Sequence, residues 1–218
     1  TTSERSWHGP RVELAGPLAG SQRVLELRAI GEPFAENALG ALLAAIACGV
    51  PVENAAARIA GAPPPPGRFE CVARHPFVVI DYAHTPNALA RTLETARRLC
   101  LGRATLVFGA GGNHDREKRL LSGAAARAAD RVIVTNDNPR DHDPQSLAED
   151  LIAGLGAHPH VELELDRARA IELALSRAAP EDVVVIAGRG HEGVQVIGAE
   201  RRPLSDVETA KSMHSRRH

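Results

Sequence analysis

The stretch F-V-V-I-D-Y-A-H-T-P-N, residues 77–87, contains the pattern on which the fold assignment rests. Four apolar residues are followed at once by Asp81, and then by Thr85 and Pro86, which are typical of the N-cap and first position of a helix. The residues after Pro86 have a helical pattern. The stretch therefore predicts a strand that leads directly into a helix, the unit from which parallel sheets are built.

The same alternation of strands and helices continues along the chain. Further apolar, β-rich runs predict strands at residues 104–108, 131–135, 161–165 and 182–187. Helical patterns lie at about 86–99, 117–129, 144–154 and 167–178. Because continuous apolar runs indicate strands buried on both faces, and crossover helices make such strands parallel, we predict an α/β fold with a doubly wound, mostly parallel sheet. The segment 194–204 predicts a closing hairpin.

A run of four prolines, in A-P-P-P-P-G at residues 62–67, predicts a domain boundary, because such a run joins neither a helix nor a central strand. Before it, short β-like pieces precede an apolar helix at 37–48 and an amphipathic helix after Pro51. We therefore expect residues 1–62 to be the end of a larger domain and residues 63–218 to be the α/β domain.

Charge and composition favour a small ligand over a nucleic acid or a membrane. The 218 residues are 44% hydrophobic and 24% charged, with a formal net charge of −1 and no basic patch. The three cysteines lack CxxC spacing, which indicates neither disulfides nor a metal site and favours the cytoplasm. The two lysines, Lys118 and Lys211, do not occur in G-K-[ST], so the chain contains no P-loop.

Four polar stretches follow the predicted strands, and the carboxyl ends of such strands form the ligand-binding edge of an open α/β sheet. They are 81–87, 109–115, 136–140 and 188–192. Each has two interpretations. Asp81 either binds a ribose diol or holds a turn, the turn 136–140 either recognises a ligand or is an Asx-turn with an exposed arginine, and Glu192 is either a ligand or solvated.

The glycine-rich stretch 109–115 does not match a dinucleotide fingerprint. G-x-G-x-x-G requires glycine where His114 stands. A nicotinamide-dependent oxidoreductase is therefore set aside.

Taken together, these stretches resemble the Mur ligases, and among them the members that add meso-diaminopimelate. The resemblance covers roughly 66–212, and more loosely 31–61. It rests on P-G-R-F-E, D-Y-A-H-T-P-N, F-G-A-G-G-N-H-D-R-E-K-R, T-N-D-N-P-R, G-R-G-H-E and L-S-D-V-E-T-A. It implies that the α/β domain is the Rossmann-like C-terminal domain of the family, preceded by a remnant of its central domain.

The resemblance also implies two sets of site residues. Those expected to bind ATP are Asn37, Arg68, Asp81 and His84. Those expected to bind the incoming amino acid are His114, Asp137, Asn138, Arg140, Gly188 and Glu192. Three positions depart from the family pattern. His114 stands where the family has an arginine that grips diaminopimelate, Leu120 stands where a proline is usual after K-R, and Phe34 replaces the first asparagine of F-N-x-x-N.

The implied reaction is ATP-dependent and Mg²⁺-dependent joining of meso-diaminopimelate to UDP-N-acetylmuramoyl-L-alanyl-D-glutamate in peptidoglycan synthesis. Because the P-loop is absent, we expect no catalytic residue and no metal ligand in this chain, and no activity from the chain alone. The alternative is a noncatalytic module that binds an amino acid or nucleotide, or one that works with a separate ATPase chain.

Overall fold

The computed structural model describes residues 7, 9–15, 24–112 and 115–216. The chain forms two compact units, Thr1–Pro65 and Pro66–His218. The division between them falls within the run of prolines.

The first unit pairs a two-stranded sheet with two helices. Strands β1 (Arg11–Glu13) and β2 (Val24–Glu26) are antiparallel, and they are followed by α1 (Glu32–Ala47) and α2 (Val52–Gly61). Helix α1 begins earlier than the sequence predicts, because Gly31 is its N-cap and a proline stands in its first turn. The core of the first unit consists of apolar side chains from β2 and both helices, including Leu25, Leu42 and Ala56.

The second unit contains a six-stranded sheet in the order β3-β4-β8-β5-β6-β7. Only β3 is antiparallel to its neighbour, so the predicted fold class is confirmed. The strands are β3 (Glu70–Ala73), β4 (Phe77–Asp81), β5 (Ala104–Phe108), β6 (Arg131–Val134), β7 (Val161–Leu163) and β8 (Val183–Ala187). The sequence predicts every parallel strand but not the edge strand β3.

The parallel strands are connected by α3 (Pro86–Leu99), α4 (Arg116–Ala126), α5 (Pro144–Leu155) and α6 (Arg167–Arg177). Helix α7 (Asp206–Ser215) follows the last strand and connects none. Helices α3, α4 and α5 connect β4 to β5, β5 to β6 and β6 to β7, so the chain moves in one direction across the sheet. Helix α6 connects β7 back to β8, in the opposite direction. Because such crossovers are right-handed, α6 lies on the opposite face from the other three, and β8 enters the sheet between β4 and β5.

Local signals account for the start of α3 and for the end of the domain. Thr85 caps α3 as predicted, with its side-chain oxygen accepting from the Ala88 N–H at 3.2 Å. The predicted hairpin is present as β9 (Val194–Ile197) and β10 (Glu200–Pro203). Among the described residues, none of the helices is long and apolar enough to cross a membrane.

Candidate amino-acid and nucleotide site

The carboxyl ends of the central strands bring the predicted polar stretches together. The N–H of Gly188, after β8, donates to the Asp81 carbonyl at the end of β4, at 3.1 Å. In the same way, the N–H of Thr135, after β6, donates to the Phe108 carbonyl at the end of β5, at 2.9 Å. The described parts of all four stretches therefore lie at one edge of the sheet, as the sequence predicts.

Glycines in the loop after β5 let it pack against the loop after β6. A Cβ on Gly109 would lie 2.3 Å from the Thr135 carbonyl oxygen, and one on Gly112 would lie 2.3 Å from that of Pro139. These glycines therefore serve the approach of one loop to the other. His114, which the sequence predicts to bind the amino acid, lies outside the described residues.

Asn138 has an orientation fixed by its hydrogen bonds. Its side-chain oxygen accepts from the Val196 N–H at 2.9 Å and, more weakly, from Arg189 Nη1 at 3.4 Å. Because both neighbours are donors, the amide nitrogen must face the other way, where it donates to Glu192 Oε2 at 2.8 Å. An amide nitrogen carries two hydrogens, so one remains for an acceptor such as a ligand carboxylate.

Asp137 presents a nearly buried carboxylate beside this amide. The residue is 8% exposed, and within the described part of the chain its carboxylate accepts no hydrogen bond. A Cβ on Gly188 would lie 2.4 Å from Asp137 Oδ2, and Gly188 has a φ of 112°, so this position requires glycine. Burial raises the pKa of Asp137, against the opposing effect of Arg167 and Arg189.

Arg140 has a constrained backbone and an exposed side chain. Its φ is 53°, a left-handed conformation that is uncommon for a residue other than glycine. Its N–H donates to the Val196 carbonyl at 3.1 Å, and its carbonyl accepts from the Gly198 N–H at 2.6 Å. The same turn also carries the Asn138 amide, which contacts the carboxylate of Glu192.

A fully buried ion pair lies beneath this cluster. Arg167 donates from Nε and Nη2 to the two carboxylate oxygens of Asp206, at 2.8 and 2.7 Å, and both side chains are 0% exposed. The same guanidinium donates to the Asn136 carbonyl at 3.1 Å and the Ala187 carbonyl at 2.9 Å. The pair thus holds the ends of β6 and β8 together.

Sequence reasoning missed four residues that support the cluster: Arg167, Asp206, Arg189 and Gln195. Arg189 is fully buried, donates to the Leu204 carbonyl at 2.9 Å and has its Nε 4.0 Å from Asp206 Oδ1. Arg189 and Asp206 belong to quoted motifs, yet nothing in those motifs distinguishes a buried charge from a solvated one. Arg167 opens a helix, where an exposed arginine is the usual expectation.

Asp81, expected to bind ATP, holds a turn. Its Oδ2 accepts from the Phe69 N–H at 2.6 Å, and its Oδ1 accepts from the Ala83 N–H at 3.0 Å and the Thr92 hydroxyl at 2.9 Å. Burial raises the pKa of this carboxyl, and the three hydrogen bonds oppose that effect. The structural interpretation is therefore observed, while the single donor on Oδ2 leaves capacity for a ligand hydroxyl.

Aromatic rings and a cation surround Tyr82, next to Asp81. The guanidinium carbon of Arg68 lies 4.4 Å from the centre of the Tyr82 ring, and the ring of His84 lies at 4.6 Å from it. The ring of His191, from the loop after β8, lies 5.9 Å away. The sequence assigns no role to Tyr82 or His191.

The remaining ATP-binding candidate, Asn37, is in the first unit. It lies on helix α1 and is exposed.

Comparisons with known proteins point to one family. The chain is 44% identical over 200 residues to the UDP-N-acetylmuramoyl-L-alanyl-D-glutamate–2,6-diaminopimelate ligase of Acidovorax sp. (strain JS42), covering 89% of this chain and 40% of that protein. A solved structure of a ligase of the same name matches with a TM-score of 0.67 and 34% identity, over 91% of this chain and 42% of that one.

A second enzyme class shares the fold. The structure of Mycobacterium tuberculosis folylpolyglutamate synthase complexed with ADP and AMPPCP matches at 26% identity and a TM-score of 0.62, over 76% of this chain and 40% of that chain.

The chain thus spans about 40% of the length of the ligase from Acidovorax sp.. Residues 67–190, more than half of the chain, match the family described as Mur ligase, glutamate ligase domain. This chain belongs to the Mur ligase family.

Proposed function

We propose that this chain is the amino-acid-binding portion of an ATP-dependent ligase that joins meso-diaminopimelate to UDP-N-acetylmuramoyl-L-alanyl-D-glutamate in peptidoglycan synthesis. The proposal rests on the relatives' names and on one arrangement of side chains. Arg140 and Asn138 offer hydrogen-bond donors, and Asp137 and Glu192 offer carboxylates, within one turn and one adjoining loop.

This arrangement suits a zwitterion. A guanidinium and an amide N–H bind a carboxylate, because both are donors and the guanidinium can engage both oxygens. A nearly buried carboxylate without a donor, as in Asp137, favours a ligand ammonium over bulk water. In the proposal, Arg140 and Asn138 bind a carboxylate of the amino acid, and Gly188 and Glu192 lie at its other end.

ATP is the proposed second ligand, at Asp81, Arg68 and His84 of the second unit. The match to a synthase complexed with ADP and AMPPCP supports it, and so does the lone pair left on Asp81 Oδ2, in the same stretch as the paired rings of Tyr82 and His84. For Mg²⁺ we assign no ligand, since the described residues contain no group of three or more His, Cys, Asp or Glu placed to hold a metal ion.

The chain's contribution to the reaction is positioning. Such a ligase transfers a phosphoryl group from ATP to the substrate carboxylate, and the amine of the amino acid then attacks the acyl phosphate and releases phosphate. Holding that amine in a fixed geometry contributes to the rate by making the attack effectively unimolecular. The chain has no G-K-[ST] sequence, so the phosphate loop of the proposed enzyme is not among these 218 residues.

A chimera tests the proposal. Residues 67–218 replace the corresponding segment of the ligase from Acidovorax sp., and product formation is measured with meso-diaminopimelate and with L-lysine. We expect product with meso-diaminopimelate, loss of it in the Arg140→Ala chimera, and no effect of Arg98→Ala, an exposed arginine on α3. A folded chimera that uses L-lysine as well as diaminopimelate would contradict the proposed substrate.

A further inference from the structure

The hairpin that follows β8 makes a set of contacts with the turn that carries Asn138 and Arg140. The Val196 N–H donates to the side-chain oxygen of Asn138 at 2.9 Å, and the Val196 carbonyl accepts from the Arg140 N–H at 3.1 Å. The Gly198 N–H donates to the Arg140 carbonyl at 2.6 Å. Both proposed carboxylate-binding residues are therefore held by strand β9 and by the residue that follows it.

Gln195 adds a side-chain contact to this backbone pattern. It is 5% exposed, and its Nε2 donates to the carbonyl of Asp137 at 2.8 Å. Arg189 Nη1 is 3.5 Å from the same oxygen, at the limit of a hydrogen bond. Gln195 is thus the principal side-chain donor to that carbonyl in the described structure.

The turn needs such support because of its own chemistry. Pro139 has no N–H, so the residue after Asn138 contributes no backbone donor, and Arg140 has a left-handed φ of 53° that the surroundings must stabilise. Leaving the buried Asp137 carbonyl without its donor costs the free energy of desolvating it. The turn would then relax, and the carboxylate of Asp137 and the amide of Asn138 would move with it.

We propose that Gln195 is a positioning residue for amino-acid recognition, and that strand β9 is the template that holds residues 137–140 in their binding geometry. This inference rests on the proposed function, because it presumes that the turn binds the amino acid. It extends the site to a residue that does not itself touch the ligand.

The test compares Gln195→Met, which keeps the size of the side chain but removes its donor, with the matched control Gln145→Met. Gln145 is exposed on α5, and among the described residues its side chain hydrogen-bonds only to Glu149, at 3.0 Å. Calorimetric titrations of meso-diaminopimelate and of ADP are run on the 218-residue chain and both variants. Gln195→Asn, which is shorter and cannot reach the carbonyl, replaces Gln195→Met if the latter does not fold.

We expect Gln195→Met to bind diaminopimelate about tenfold more weakly, as the loss of one buried hydrogen bond implies, and to bind ADP as the unsubstituted chain does. Gln145→Met should leave both affinities unchanged. Unchanged diaminopimelate affinity in Gln195→Met, or an equal loss for both ligands, overturns the inference, since the second result indicates a general structural defect.

Amide hydrogen exchange provides a readout without ligand. Exchange at Arg140 and Val196, whose amides bond across the turn, should accelerate in Gln195→Met but not in Gln145→Met, while exchange at Ala83 should stay the same. Identical exchange in all three proteins refutes the template. If the unsubstituted chain does not bind diaminopimelate, the proposed function fails, and that result is separate from the exchange measurement.

Discussion

Removing the carboxylate of Asp206 should destabilise the second unit more than any surface substitution. Asp206 and Arg167 are 0% exposed and share two charge-assisted hydrogen bonds, at 2.8 and 2.7 Å. In Asp206→Ala the Arg167 guanidinium stays buried without its counterion, and Arg189, whose Nε is 4.0 Å from Asp206, loses the same anion. Breaking a buried pair from one side costs about 3 to 5 kcal/mol of unfolding free energy.

The measurement is urea and thermal unfolding followed by circular dichroism. A loss of that size corresponds to a decrease in Tm of about 6 to 20 °C for a protein of this length. The control is Glu94→Ala, which breaks the exposed pair of Glu94 and Arg98, whose side chains are 60% and 65% exposed. Exposed pairs on one helix contribute only about 0.3 to 0.5 kcal/mol, so the control should hardly change Tm.

Replacing both residues of the ion pair is the complementary experiment. Arg167→Met combined with Asp206→Leu removes both charges, and apolar replacements of buried pairs are often neutral. The double variant should therefore recover much of the loss, although the carbonyls of Asn136 and Ala187 lose a donor. A loss below about 1 kcal/mol in Asp206→Ala, or a double variant less stable than Asp206→Ala, would refute the assignment of a buried ion pair.

Three further predictions concern the turn and the packing of the helices. Arg140→Lys should weaken diaminopimelate binding, measured by calorimetry, nearly as much as Arg140→Ala, each by about tenfold, because an ammonium cannot bind both carboxylate oxygens with the geometry of a guanidinium. A lysine variant with full affinity contradicts this. Gly123→Ala should lower the free energy of unfolding by about 1 to 3 kcal/mol, because the added Cβ would lie 2.1 Å from the Leu151 carbonyl oxygen. The control is Gly40→Ala, whose Cβ would meet nothing within 4 Å and should not destabilise the protein. Burial raises the pKa of Asp137 above its ordinary 3.8, so the folded state binds the carboxyl proton more tightly than the unfolded state, and the stability from this group is lost as pH rises from 3.8 through the raised pKa. Asp137→Asn should therefore increase Tm at neutral pH. An unchanged dependence of Tm on pH would refute this.

The parallel sheet is predictable from sequence because its strands are buried on both faces. Continuous runs such as V-V-V-I-A in β8 have no other common explanation when helical patterns separate them. Strand β3 is different, since all four of its residues are only half-buried and it lies at the edge. Helix α7 is also missed, because its sequence D-V-E-T-A-K-S-M-H-S is mostly polar and buries only Asp206 and Ala210.

The site is predictable only in part. The sequence predicts that polar residues after parallel strands meet at one edge, and the contact between Asn138 and Glu192 is such a meeting. The motifs do not reveal that the Asn138 side-chain oxygen accepts hydrogen bonds from Arg189 and Val196, which are distant in sequence. Such contacts depend on the return of the chain through β8 and β9, and no local pattern encodes that return.

The proposed binding of meso-diaminopimelate involves the turn after β6 and the loop after β8. Its most direct test is calorimetric titration of meso-diaminopimelate and L-lysine into the 218-residue chain. L-lysine lacks one of the two carboxylates, so a hydrogen-bond donor of the site would lose its partner, and a polar site strongly rejects an analogue that leaves its groups unpaired. We predict that diaminopimelate binds at least about tenfold more tightly than L-lysine, and equal affinities, or no binding of diaminopimelate, would contradict the account.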